Sequence, residues 1–164
     1  MRVLRYFFLA AVALILQSTL LKLVAVGQIQ PDLILLVLFY VALMEGSFGA
    51  TITGFCTGLI QDVYAPETLG LNALCKSLVG FGLGYCQRGV FVESLAARAL
   101  ILFGAVLVHD ILYFLVSSWP EVGRGLGQVV RVGLPTALYT ALLGYVVFYL
   151  IRRKGQVQPL QESS

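Results

Sequence analysis

Charge is what this sequence has least of. Only 12% of its 164 residues are Asp, Glu, Lys or Arg, about half the share found in soluble domains. A small globule wetted on all sides is therefore excluded. Histidine occurs once, at His109, and tryptophan once, at Trp119. A single histidine with no serine or cysteine placed beside it by a known motif supplies no nucleophile–base pair, and no metal triad is present. The expectation is a protein that is not an enzyme and carries no cofactor. The three cysteines, Cys56, Cys75 and Cys86, match no metal-ligand spacing and read as small packing side chains in apolar helices. The net charge of +3 comes from scattered basic residues. No basic patch interleaved with aromatics exists, so nucleic acid is not an expected partner.

What is there is apolar. Hydrophobic residues make up 59% of the chain in long unbroken runs. Lipid satisfies no backbone hydrogen bond, so such runs must close their own bonds as helices. A transmembrane barrel would need alternating polar and apolar residues instead. The fold class expected is an all-α integral membrane protein with six transmembrane helices: roughly Tyr6 to Val26, Pro31-Asp32 to Met44, Ser47 to Tyr64, Leu71 to Gln87, Ala96 to Val116 and Val129 to Ile151. Residues 1–154 form one membrane domain, and 155–164 read as a disordered cytoplasmic tail. The first run is too long for a secretory signal and no A-x-A site follows it, so it is expected to be retained. Pro31 and Asp32 suit the first turn of a helix. The second and third helices could be one bent element, but Glu45-Gly46 reads more naturally as a surface loop. The stretch 88–98 reads as a charged loop and 117–127 as a polar loop, and Pro135 is expected to bend the last helix.

The organising stretch runs from Gly46 to Gly84. Gly46, Ala50, Gly54, Gly58 and Asp62 recur every four residues, as do Asn72, Lys76, Gly80 and Gly84. Residues four apart share a helix face. The pattern predicts two antiparallel helices with smooth small-residue stripes, which let backbones approach closely. The stripe is either internal packing or a docking surface for a partner helix.

Basic residues set the orientation. With both ends inside, inner segments hold Arg2, Arg5, Arg88, Arg98, Arg152, Arg153 and Lys154, and outer segments hold Lys22, Arg124 and Arg131. Both termini are therefore expected in the cytoplasm. Asp62, Asn72, Lys76, His109 and Asp110 then lie at similar depth near the outer leaflet. Ionisable groups within a span face one another or a wet cavity. The expectation is that Asp62 pairs with Lys76, while Asn72, His109 and Asp110 line the same outward-facing cavity. The rival reading leaves Asp62 at the surface and Lys76 snorkelling. Neighbours on a helix point about 100° apart, so His109 and Asp110 are not expected to face each other.

At these residues the sequence resembles a family, that of the rod shape-determining protein MreD. The resemblance rests on Pro31-Asp32-Leu33, on Gly54-x-x-x-Gly58-x-x-Gln61-Asp62, and on Leu69-Gly70-Leu71-Asn72-Ala73-Leu74 followed by Gly80 and Gly84. It covers about Arg2 to Arg153. It implies a multi-pass protein of the bacterial inner membrane and a non-enzymatic scaffold of the cell-elongation machinery. Such a protein would bind the membrane helix of MreC, and act indirectly with MreB, RodA and a penicillin-binding transpeptidase. The MreD fold is similar to that of the substrate-binding subunits of ECF-type vitamin transporters, which supplies the alternative of a solute-capture subunit. Those subunits carry an Ala-x-x-x-Ala pattern in their first helix, and Ala10, Ala11, Ala13 and Ala25 do not give that spacing.

Overall fold

The computed structural model describes residues 2–19, 29–89 and 94–155. Among them the regular elements are helical. They are α1 (Arg2–Thr19), α2 (Leu33–Asp62), α3 (Leu71–Gly89), α4 (Leu95–Ser117), α5 (Val122–Gln128) and α6 (Leu134–Gly155). Lys22 and the end of the first expected helix, residues 90–93 and the tail beyond Gly155 lie outside the described residues, and the helices on either side of 90–93 take up most of the expected 88–98 loop.

The second and third expected helices run into one another. The chain breaks at Gly46, whose φ of 74° and ψ of −161° are not helical. Glycine reaches that region without the Cβ clash other residues meet. The break is a reversal. Lys76 packs its backbone on Gly54 and its ammonium on Asp32. Along a straight helix Asp32 and Gly54 would lie about 33 Å apart, further than one lysine spans. The arms 33–45 and 47–62 therefore fold back on each other, and no surface loop intervenes.

The arm 47–62 forms a hairpin with α3. A Cβ added at Gly54 would lie 2.5 Å from the Lys76 carbonyl oxygen, one at Gly58 2.5 Å from Ala73 Cα, and one at Gly80 2.7 Å from the Ala50 carbonyl oxygen. Gly84 meets Ser47 in the same way. The small-residue stripe is thus occupied by backbone of the same chain. The turn closes through Gly70, at φ 89°.

The polar loop expected at 117–127 is largely helix. Its glycines weaken helix propensity, but Gly125 is used for packing: a Cβ there would lie 2.8 Å from the Phe114 carbonyl oxygen. Between α5 and α6 the chain widens into a π-turn, Val129–Gly133. Pro135 cannot donate to the carbonyl four residues back, and its ring crowds that carbonyl, so the preceding turn opens.

Leu35, Leu38, Phe39, Ala42, Ala50, Val79, Leu83, Leu102, Val106, Ala137 and Phe148 form the apolar core. Among the described residues, three helices are long and apolar enough to cross a membrane: Leu33–Asp62, Leu95–Ser117 and Val122–Arg153. Six spans were expected. The first of these three is folded at Gly46, and each of its arms is shorter than the ~20 residues a full span needs.

Candidate functional site: a buried ionic row

The burial pattern is inverted relative to a water-soluble protein. Phe48 is 80% exposed and Leu100 71%, whereas Lys76 is 1% exposed and Asp62 is fully buried. Aqueous folds almost never bury a lysine unless it is paired. Apolar side chains outside and ionic groups within is the arrangement lipid favours.

Asp32 begins the row. It caps α2, its Oδ1 accepting from Ile34 N at 2.9 Å and Leu35 N at 3.0 Å. Its own N–H donates to Thr140 Oγ1 on α6 at 3.0 Å. The second oxygen, Oδ2, accepts from Lys76 Nζ at 3.3 Å. Lys76 Nζ lies 3.0 Å from His109 Nε2. His109 Nδ1 in turn lies 3.0 Å from Asp110 Oδ1. Tyr113 stacks beside the imidazole, with ring centroids 6.2 Å apart. Asp110 abuts Gly133 of the π-turn, where a Cβ would meet its carboxylate at 3.3 Å. The row thus ties α2, α3, α4 and α6 together.

The expected Asp62–Lys76 pair does not form. Asp62 turns to the start of α3, where Oδ1 accepts from Asn72 N at 3.1 Å and Oδ2 from Ala73 N at 3.0 Å. The opening turn of a helix presents N–H groups with no intrahelical partner, and a carboxylate satisfies them well. Asn72 takes part through its backbone. His109 and Asp110, adjacent in sequence, do meet. Their side chains leave the helix on different bearings, but their ends converge. Asp32 and Thr140 were not expected in this group. The signal for Asp32 was its depth: in a six-span count it opens an inward-running helix, level with Lys76.

Replacing Asp62 with Ala strands two buried N–H groups. We expect a loss of about 1–3 kcal/mol, the range for a lost cap and unpaired buried donors. Asp62→Asn keeps one acceptor oxygen and should lose less. Thermal unfolding in detergent gives both values, and equal losses would refute the capping role.

Among the described residues, long helices with ionic groups inside and hydrophobic groups outside define the class: a helical membrane protein. The particular family follows from comparison. The family model of the rod shape-determining protein MreD matches residues 1–154, and the chain belongs to that family. No curated protein and no solved structure matches it.

Proposed function

We propose that this protein is a non-enzymatic adaptor of the rod-shape machinery. It would cross the inner membrane six times, with both termini in the cytoplasm, and bind the membrane helix of MreC. Through MreC it would act with MreB, RodA and a penicillin-binding transpeptidase. The observation that carries this reading is the MreD family match over residues 1–154.

Because the Gly54/Gly58 face is covered by α3, the partner helix needs another face. A groove of about 400 Å³ runs between α1 and the second arm of α2, lined by Tyr6, Ala10, Ala11, Phe48, Gly49, Ile52 and others. Glu45 stands at one end and accepts a hydrogen bond from the Tyr6 hydroxyl at 2.9 Å. In the proposed orientation that is the cytoplasmic end. A single-span partner with a cytoplasmic N-terminus carries its basic flank there, which complements the Glu45 carboxylate.

Affinity purification in mild detergent with mass spectrometry tests the adaptor reading. MreC in the eluate supports it. A transporter's ATPases and coupling subunit in its place would assign a solute-capture role instead. Ala11→Trp, which fills the groove, should leave thermal stability unchanged and reduce MreC recovery by about tenfold, a modest loss of binding free energy of about 1.4 kcal/mol. Undiminished recovery would move the docking face elsewhere.

A further inference from the structure

With Lys76 taken as an ammonium and Asp110 as a carboxylate, the hydrogen bonds in the ionic row place its protons. An ammonium only donates, and an ionised carboxylate only accepts. Lys76 Nζ lies 3.0 Å from His109 Nε2, so Nε2 presents its lone pair. His109 Nδ1 lies 3.0 Å from Asp110 Oδ1, so Nδ1 carries the hydrogen. The imidazole is neutral and held in the Nδ1–H form. From Asp32 to Asp110 the row reads carboxylate, ammonium, imidazole, carboxylate. Two negative charges share one positive charge.

Among the described residues, the other groups around His109 do not supply the missing charge. The start of α2 offers Asp32, α3 offers Lys76 and Cys75, and α4 offers Asp110 and Tyr113. From α6 comes the Thr140 hydroxyl, which faces Asp32. Asp62 is nearby, but both its oxygens are held by N–H groups of α3. The row is one positive charge short of neutral, in a setting where net charge is disfavoured.

We propose that this row is a proton-binding site. One proton from a hydronium ion adds to the Nε2 lone pair of His109: the N–H bond forms as the donor's O–H bond breaks, and a water molecule is left behind. The row then holds two positive and two negative charges. Nε2 and the Lys76 ammonium are now both donors, so the contact between them opens. Proton occupancy therefore decides whether α3 and α4 are latched at this level. The Asp32 and Asp110 side chains are 12% and 13% exposed, against 1% for Lys76 and 6% for His109, so the proton enters past the carboxylates. In the six-span orientation the entry faces the outer side of the membrane. That placement rests on the adaptor reading; the site itself does not.

The sequence holds a single histidine, so the test is direct. The full-length chain, labelled with ¹⁵N-histidine and purified in detergent, gives one imidazole by NMR. At about pH 8 the Nδ1–H form is expected, with Nε2 unprotonated; free histidine prefers the opposite tautomer. Between about pH 8 and about pH 5, the range in which histidine acts as a switch, both nitrogens become protonated in one step. The thermal midpoint moves over the same interval with the sign that linkage sets: it rises as pH falls if His109 titrates above the ~6.5 of free histidine, because the balanced row outweighs the lost contact, and falls if it titrates below. His109→Gln keeps an acceptor for Lys76 and should flatten that pH dependence. Lys76→Met removes the donor to Nε2 and should release the fixed tautomer. An Nε2–H imidazole at neutral pH overturns the proposal, as does a spectrum or a thermal midpoint that does not change with pH. The wild-type measurements alone decide this if a variant fails to fold. None of these readouts involves MreC, so failure here is separate from failure of the adaptor reading.

Discussion

Gly58→Leu is expected to yield no folded protein, Gly58→Ala a strongly destabilised one, and Gly82→Ala a protein at least as stable as the wild type. The three outcomes come from one helix pair. At Gly58 an added Cβ would lie 2.5 Å from Ala73 Cα and 2.6 Å from Ala73 N and from the Asn72 carbonyl carbon. These are backbone atoms, which cannot rotate aside, so the hairpin would have to part. Parting also pulls the Ala73 and Asn72 N–H groups away from Asp62, which holds them at 3.0 and 3.1 Å. The alanine variant should lose at least the ~1–3 kcal/mol typical of an overpacked core. Gly82 lies in α3 with nothing within 4 Å of its Cβ position. There the change only removes backbone freedom, worth about 0.5–1 kcal/mol in favour of alanine. Thermal unfolding in detergent separates these effects. A folded, stable Gly58→Leu protein would mean that the arm 47–62 and α3 do not pack at this register.

The register was legible because small residues at spacing four have few other uses in an apolar helix. Gly54, Gly58, Gly80 and Gly84 announced the hairpin, and Asp62 and Lys76 announced its polar end. The pairing within that end was not legible. Asp32 lies 44 residues from Lys76, and its capping of α2 already accounted for it locally. Nothing in the spacing showed that a carboxylate with two oxygens serves a helix end with one and a lysine with the other. Gly46 was read as loop because Glu45 and Gly49 flank it. A single glycine reverses the chain there, and the two helices meet without further residues between them. The meeting of His109 and Asp110 was missed because the 100° rule places Cβ atoms and says nothing of the longer reach of side-chain ends.

Lys76→Met should be the most costly single change within the ionic row. It leaves the Asp32 carboxylate buried with only its two backbone donors and leaves His109 Nε2 without a donor. Removing one member of a buried ion pair typically costs about 3–5 kcal/mol, because the other charge stays behind. Asp32→Asn retains an oxygen to cap Ile34 and Leu35 but leaves the Lys76 ammonium, 1% exposed, without its counter-ion. The double variant buries neither charge. Its loss should fall short of the sum of the single losses by about 1–3 kcal/mol, the coupling expected of residues in direct contact. Unfolding free energies of the wild type, both single variants and the double variant close this cycle. Additive losses would show that the 3.3 Å contact between Lys76 and Asp32 carries no coupling. A coupled result has a further consequence. Buried ion pairs are weak sources of net stability compared with packed apolar groups, so a double variant near wild-type stability would mean the pair serves something other than holding the fold. The row would then be retained for what it does with its proton, and the double variant should lose the fixed His109 tautomer while keeping the structure.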